Sequence, residues 1–181
     1  MHIGFDLDKI LINHPPLIPS WLINQLYGES VNGHLSYRIP GKLEQIIRKL
    51  SHNSLLRQPI RYNLNLLRQK KGLKNQQLFL ISSRYSFLKK ETDKIIKSNN
   101  LRSIFTKMIF NYNNQQPHKF KDAMISREHI DRFVDDDLPL LQFLASRHPK
   151  TIFFWLNPKR NDKLKTNLYA ITHLASVFEK L

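Results

Sequence analysis

The stretch His2-Ile3-Gly4-Phe5-Asp6-Leu7-Asp8-Lys9-Ile10-Leu11 decides the reading of this chain. Ile3 and Phe5 alternate as in a half-buried strand, and the run ends in two acids, Asp6 and Asp8. A strand of this kind delivers carboxylates to its C-terminal edge, where ligands bind in open α/β sheets. A second run, Arg132-Phe133-Val134, ends the same way in Asp135-Asp136-Asp137. Two strands unloading acids at one edge build a site for a hard cation such as Mg²⁺. Asp137 is also placed to N-cap a helix beginning at Leu138.

The 181 residues suffice for one sizeable core with a modest insertion. No apolar run approaches the ~20 residues of a membrane span, and no leader-like segment opens the chain, so a soluble cytoplasmic protein without membrane contact is expected. The absence of cysteine excludes disulfides and thiolate metal sites. The eight histidines show no ligand spacing. Twenty-nine Lys and Arg against 14 Asp and Glu give a net charge of +15, which attracts phosphorylated metabolites and admits nucleic acid as a partner.

Beyond Asn13 the pattern changes. Pro15, Pro16 and Pro19 break the strand, Ser20 can cap a short helix over Trp21 to Tyr27, Gly28 ends it, and a polar loop holds Asn32-Gly33. Pro40-Gly41 opens a helix whose Leu43, Ile46, Ile47 and Leu50 share one face. Pro40-Gly41-Lys42 lacks the other residues of a Walker A loop. Another helix begins near Pro59, carries Leu64 and Leu67, and stops at Gly72. Strands and helices then alternate: strand Leu78 to Ile81, a helix with Leu88, Ile95 and Ile96, strand Met108 to Phe110, a helix around Lys121 to Arg127, and strand Phe133-Val134. A helix from Leu138 to Ser146, strand Thr151 to Leu156 and a terminal helix from Leu164 to Leu181 complete the series. The alternation predicts an α/β three-layer sandwich, a five-stranded parallel sheet with helices on both faces.

At their strand ends and in this order, Asp6 and Asp8, Ser82, Lys121 and Asp135 to Asp137 resemble the haloacid dehalogenase (HAD) superfamily of phosphohydrolases. Phe5-Asp6-Leu7-Asp8-Lys9-Ile10-Leu11 looks like its first motif, Leu78-Phe79-Leu80-Ile81-Ser82-Ser83-Arg84 its second, Lys121 its third, and Phe133-Val134-Asp135-Asp136-Asp137 its fourth. The resemblance implies the HAD-like Rossmannoid strand order 3-2-1-4-5. It covers a catalytic core of residues 1–12 and 57–181, with a small helical cap inserted over residues 13–56. It implies Asp6 as nucleophile and Asp8 as general acid/base. The Mg²⁺ would be held by Asp6, the backbone carbonyl of Asp8, and Asp136, with Asp135 supporting or joining them. Ser82 (or Ser83) would hold a phosphate oxygen, and Lys121 (or Lys119) would neutralise charge. Lys9 stands where the family usually carries a small residue.

The chemistry asks for these parts independently. A carboxylate attacking a phosphate monoester brings like charges together, and at about 4 Å with an effective dielectric near 20 each pair costs roughly 4 kcal/mol. A divalent cation and a lysine remove that barrier, a hydroxyl holds phosphate without adding charge, and a second carboxylate moves the proton. The expected function is a Mg²⁺-dependent phosphomonoester hydrolase acting on a small phosphorylated metabolite or nucleotide. Between Arg38 and Lys74 ten basic residues face one acid, Glu44. If Arg48, Lys49 and Arg57 line an open groove, the same chemistry on polynucleotide ends is the alternative. A catalytically retired nucleic-acid-binding protein on the same core is the third reading.

Overall fold

The structure is a computed structural model that describes residues 1–13, 29–31, 34–37, 39–53, 56–73, 75–157, 159 and 163–179. The expected helix over Trp21 to Tyr27, its cap Ser20 and the prolines before it lie outside these residues. The central strand is β1 (His2–Phe5), flanked in parallel by β4 (Gln77–Ser82) and β6 (Arg132–Asp135). Beyond them lie β5 (Lys107–Phe110) and β7 (Ile152–Leu156), also parallel. In chain order these five strands are arranged 3-2-1-4-5, as the family resemblance implies.

The five-strand count falls short. A further strand, β9 (Leu168–Ile171), runs parallel to β7, and β8 (Lys163–Lys165) pairs antiparallel with β9, making seven. The expected terminal helix is therefore replaced by β8, β9 and a 3-10 turn at Leu174–Phe178. The reason is tertiary. Without β9 the β7 backbone would present an open edge. Asn167 locks the alternative: its amide donates to the carbonyls of Ala145, His148 and Thr151, while its own carbonyl accepts from the Phe153 N–H at 2.8 Å.

Strand alternation sorts the core into two layers. Ile3, Phe5, Leu78, Leu80, Val134 and Phe154 face helices α2 (Arg61–Lys70) and α3 (Lys89–Ser98) through Leu64, Leu67, Ile95 and Ile96. Phe79, Ile81, Phe133 and Phe153 face α4 (Pro117–Arg127) and α5 (Leu138–Arg147) through Phe120, Ile125, Leu141 and Leu144. Gly4 is required by close approach, because a Cβ there would lie 2.7 Å from Phe133 Cδ2.

Between β1 and α2 the described residues form two pieces. β2 (Glu29–Val31) and β3 (His34–Ser36) pair antiparallel where only a polar loop was expected, and α1 (Lys42–Ser51) follows. α1 forms as its pattern predicts, but Leu43, Ile46, Ile47 and Leu50 are all exposed, Leu43 by 78%. The buried side carries Arg48 and Ser51, with His52 beyond the helix end.

Candidate active site

β1 ends at Phe5, and the Asp6 N–H still donates to the Val134 carbonyl at 3.0 Å, so Asp6 stands at the C-terminal edge on the strand's own register. A tight turn follows: the N–H groups of Leu11 and Ile12 both reach the Leu7 carbonyl, with Lys9 at φ 57°, a left-handed conformation that costs a side-chain-bearing residue about 1–2 kcal/mol. Pairing of β6 with β1 brings Asp135 and Asp136 to the same edge.

Carboxylate oxygens of Asp6, Asp135 and Asp136 all lie within 4.8 Å of one another. Lys121, buried on α4, donates to Asp6 Oδ1 at 2.9 Å and to Asp135 Oδ2 at 2.5 Å. Burial pushes the Asp6 and Asp135 carboxyls upward, only partly offset by Lys121. Burial alone would lower the Lys121 ammonium, but Asp135 and Asp6 raise it, so it stays charged. Asp135 is further fixed by the N–H groups of Asp136 and Asp137, at 2.9 and 3.2 Å. Burial raises Asp136 to about 6, opposed by Lys9, whose ammonium sits 2.7 Å from Asp136 Oδ2. Three clustered carboxylates beside two ammonium groups fit a hard divalent cation.

The Asp8 side chain is held separately from the acid cluster. The residue's N–H donates to Asp6 Oδ2 at 2.9 Å, but its carboxylate stands apart. Arg84 forks onto it, Nη2 to Oδ1 at 2.7 Å and Nε to Oδ2 at 2.8 Å, and Arg57 Nη1 also donates to Oδ1. Burial pushes Asp8 upward, but Arg84 and Arg57 outweigh it and hold the carboxyl well below its usual range. Beside them His52 is held neutral by burial and by the same two guanidinium groups.

Ser82 is buried at the end of β4, and its Oγ accepts from the Arg84 N–H at 3.5 Å. The Ser83 Oγ is buried without a hydrogen-bond partner among the described residues. Lys119, the alternative to Lys121, is absent from the ion pairs of this site among the described residues. Asp137 caps α5 as expected, accepting from the Leu140 N–H at 3.0 Å. Its other oxygen accepts from the Tyr37 hydroxyl at 2.7 Å, and Tyr37 exchanges two hydrogen bonds with the Gln116 side chain.

The segment between β1 and α2 thus reaches this edge at Tyr37 and Arg57. Its two ends meet beside Asp8, where the Asn13 N–H donates to the Gln58 carbonyl and the Ile60 N–H to the Leu11 carbonyl, each at 2.8 Å. The open groove expected of Arg48, Lys49 and Arg57 is not formed by those three, because Arg48 and Arg57 are buried. Sequence reading gave Arg84 and Tyr37 no role and named Arg57 only as a groove residue, not as a partner of Asp8. Arg84 carried a usable signal, since it follows Ser82-Ser83 directly at a strand end. A cleft of about 460 Å³ borders the Lys9–Asp136 pair and is lined by Tyr62, Asn63, Trp155 and His173.

No family model and no curated protein sequence matches the chain. Solved structures do. A HAD-superfamily hydrolase from Ehrlichia chaffeensis is 14% identical with a TM-score of 0.56, covering 97% of this chain and 92% of that one. A Thermotoga maritima protein assigned as a beta-phosphoglucomutase is 15% identical with a TM-score of 0.57, covering 97% and 95%. Among the described residues no helix is long and apolar enough to cross a membrane. The chain has the fold of the HAD-superfamily hydrolases.

Proposed function

We propose that this chain is a Mg²⁺-dependent phosphomonoester hydrolase of the HAD superfamily, acting through an aspartyl-phosphate on Asp6. The observation that carries the reading is the buried cluster of Asp6, Asp135 and Asp136 within 4.8 Å, with Lys121 bridging two of them. Asp6, Asp136, the Asp8 backbone carbonyl and Asp135 are the groups that would hold the cation. When bound, it would neutralise charge between the attacking carboxylate and the phosphoryl oxygens.

The rest is work for the chain's own residues. Asp6 attacks phosphorus, and Lys121 offsets the charge that the attack brings together. The hydroxyl of Ser82, or the orphaned one of Ser83, holds a phosphoryl oxygen. Asp8 moves the proton: it donates to the departing oxygen, then takes a proton from the water that cleaves the phosphoryl-aspartate. Paired to two arginines, Asp8 is ionised, which suits the water-activating half. The donating half needs the guanidinium groups drawn off. The segment 13–56 would act as a cap, anchored through Tyr37 and Arg57, that keeps bulk water from the edge.

The reading is tested by a panel of phosphomonoesters and end-phosphorylated oligonucleotides, assayed with Mg²⁺ and with chelator. Release of phosphate that needs Mg²⁺ and disappears in Asp6→Asn is expected. Turnover unaffected by chelation, or retained by Asp6→Asn, would refute it. The charge of +15 supports oligonucleotide ends as a second substrate class, and salt-sensitive turnover of those members would favour it.

A further inference from the structure

Two buried guanidinium groups converge on one oxygen, Asp8 Oδ1, from different parts of the chain. Arg57 directly follows the 13–56 segment and is tied by its Nε to the Ser51 carbonyl at 3.1 Å. Arg84 follows β4 and is tied by its Nη1 to the Thr92 hydroxyl on α3 at 3.2 Å. Both side chains are thus oriented by the scaffold as well as by Asp8. Their side chains are 6% and 3% exposed, whereas the carboxylate they grip is 26% exposed, so the gripped group is the one that faces outward. The Asp8 backbone N–H donates to Asp6 Oδ2 at 2.9 Å, so the residue they grip is tied to the nucleophile through its main chain while its carboxylate stands apart from the acid cluster.

Planar guanidinium forks held in place before a ligand arrives are the arrangement that recognises carboxylate and phosphate oxygens. We propose that Arg57 and Arg84 form a subsite for a second anionic group of the substrate, with Asp8 occupying that subsite in the free protein. The inference rests on the phosphatase reading and narrows its substrates to phosphomonoesters bearing another phosphate or a carboxylate near the scissile group. Arg57 stands where the 13–56 segment joins the core and is tied to Ser51 of that segment, so such a substrate would also engage that segment.

The test uses matched substrates that differ by one anionic group: propanediol monophosphate against its bisphosphate, and phenyl phosphate against 2-carboxyphenyl phosphate. The wild-type protein should favour the doubly anionic member by about 10- to 100-fold in kcat/KM, mostly through KM, corresponding to one charge-assisted fork. The bisphosphate and carboxylate arms separate the two kinds of anion. In Arg57→Gln and Arg84→Gln the ratio should collapse toward unity, and Arg57→Lys, which keeps the charge without the fork, should give an intermediate ratio. Equal kcat/KM within both pairs for the wild-type protein would overturn the subsite, and so would a preference surviving both Gln variants. That comparison needs no variant to fold. Calorimetric titration of the same four compounds gives a second readout. If no phosphomonoester is hydrolysed, the phosphatase reading fails by itself. The subsite then stands on tighter binding of the doubly anionic members, lost in Arg57→Gln, and falls if all four bind alike.

Discussion

Asp136 offers a measurable link between the acid cluster and stability. Burial raises its carboxyl from 3.8 to about 6, although Lys9 opposes the shift. A carboxyl raised on folding is stabilised while protonated, so its contribution is full below pH 4 and is lost as pH climbs toward 6. At 1.36 kcal/mol per pH unit, the metal-free protein gives up about 3 kcal/mol at neutral pH, roughly 2–3 of it between pH 4 and 7. For a chain of this size that is about 5–10 °C in Tm. His52 acts oppositely, since its lowered pKa makes stability fall as pH drops below 6.5, so the total profile is not diagnostic. The difference between wild type and Asp136→Asn is. Urea unfolding of both chelated proteins between pH 4 and 7 should show the variant gaining roughly 2–3 kcal/mol on the wild type as pH rises. Parallel profiles, with a constant difference, would refute the argument. Mg²⁺ should also stabilise the wild type more at pH 7 than at pH 5, because its ligands must be deprotonated.

Asp6→Asn should remove turnover while leaving the fold intact, because an amide relieves repulsion among the buried acids; phosphate release and circular dichroism check the two halves. Lys121→Met should cost the metal-free protein about 3–5 kcal/mol at neutral pH by stranding Asp6 and Asp135, with Mg²⁺ restoring part of it in thermal unfolding. Lys9→Gly should tighten Mg²⁺ binding in calorimetry, since the ammonium no longer competes for Asp136 Oδ2 and glycine accepts the left-handed φ. Gly4→Ala should lower Tm by roughly 2–10 °C, as its Cβ would overlap Phe133 in a sheet paired on both sides.

What the sequence made legible were features set by local pattern. β1, β4, β6 and β7 announced themselves as apolar runs between breakers, and their polar ends named Asp6, Ser82 and Asp135 to Asp137 without any knowledge of contacts. The region after Leu164 misled because Leu168, Ile171 and Leu174 satisfy a helical period, whereas the free edge of β7 and the three carbonyls waiting for Asn167 are tertiary facts. Asn32-Gly33 enters the sequence reading only as part of a polar loop, although its signal points further. That dipeptide is a strong hairpin signal, and β2 and β3 do flank it. α1 shows a limit of amphipathic reading: its apolar stripe located a helix correctly, yet that stripe is exposed, and the side turned inward carries Arg48 and Ser51, whose carbonyl accepts from Arg57 Nε.

Charge divides this edge into two halves that the linear motif joins. On one side Asp6, Asp135 and Asp136 crowd three carboxylates around Lys121 and Lys9, an arrangement strained by burial that a divalent cation would relieve. On the other, Arg57 and Arg84 surround the carboxylate of Asp8. Asp6 and Asp8 are two residues apart and share a hydrogen bond, yet burial drives the first upward while the arginines drive the second down. These directions are the reverse of what an ionised nucleophile and a protonated donor require, so the proposed chemistry needs a cation to draw Asp6 down and release from the arginines before Asp8 can donate. The half that includes Arg57 is supplied by the segment between β1 and α2, whose ends meet beside Asp8. That segment reaches both halves: Arg57 holds the Asp8 carboxylate, and Tyr37 holds Asp137, whose N–H donates to Asp135. Variation at the Arg57 end should accordingly act first on Asp8, and variation around Tyr37 first on the acid cluster.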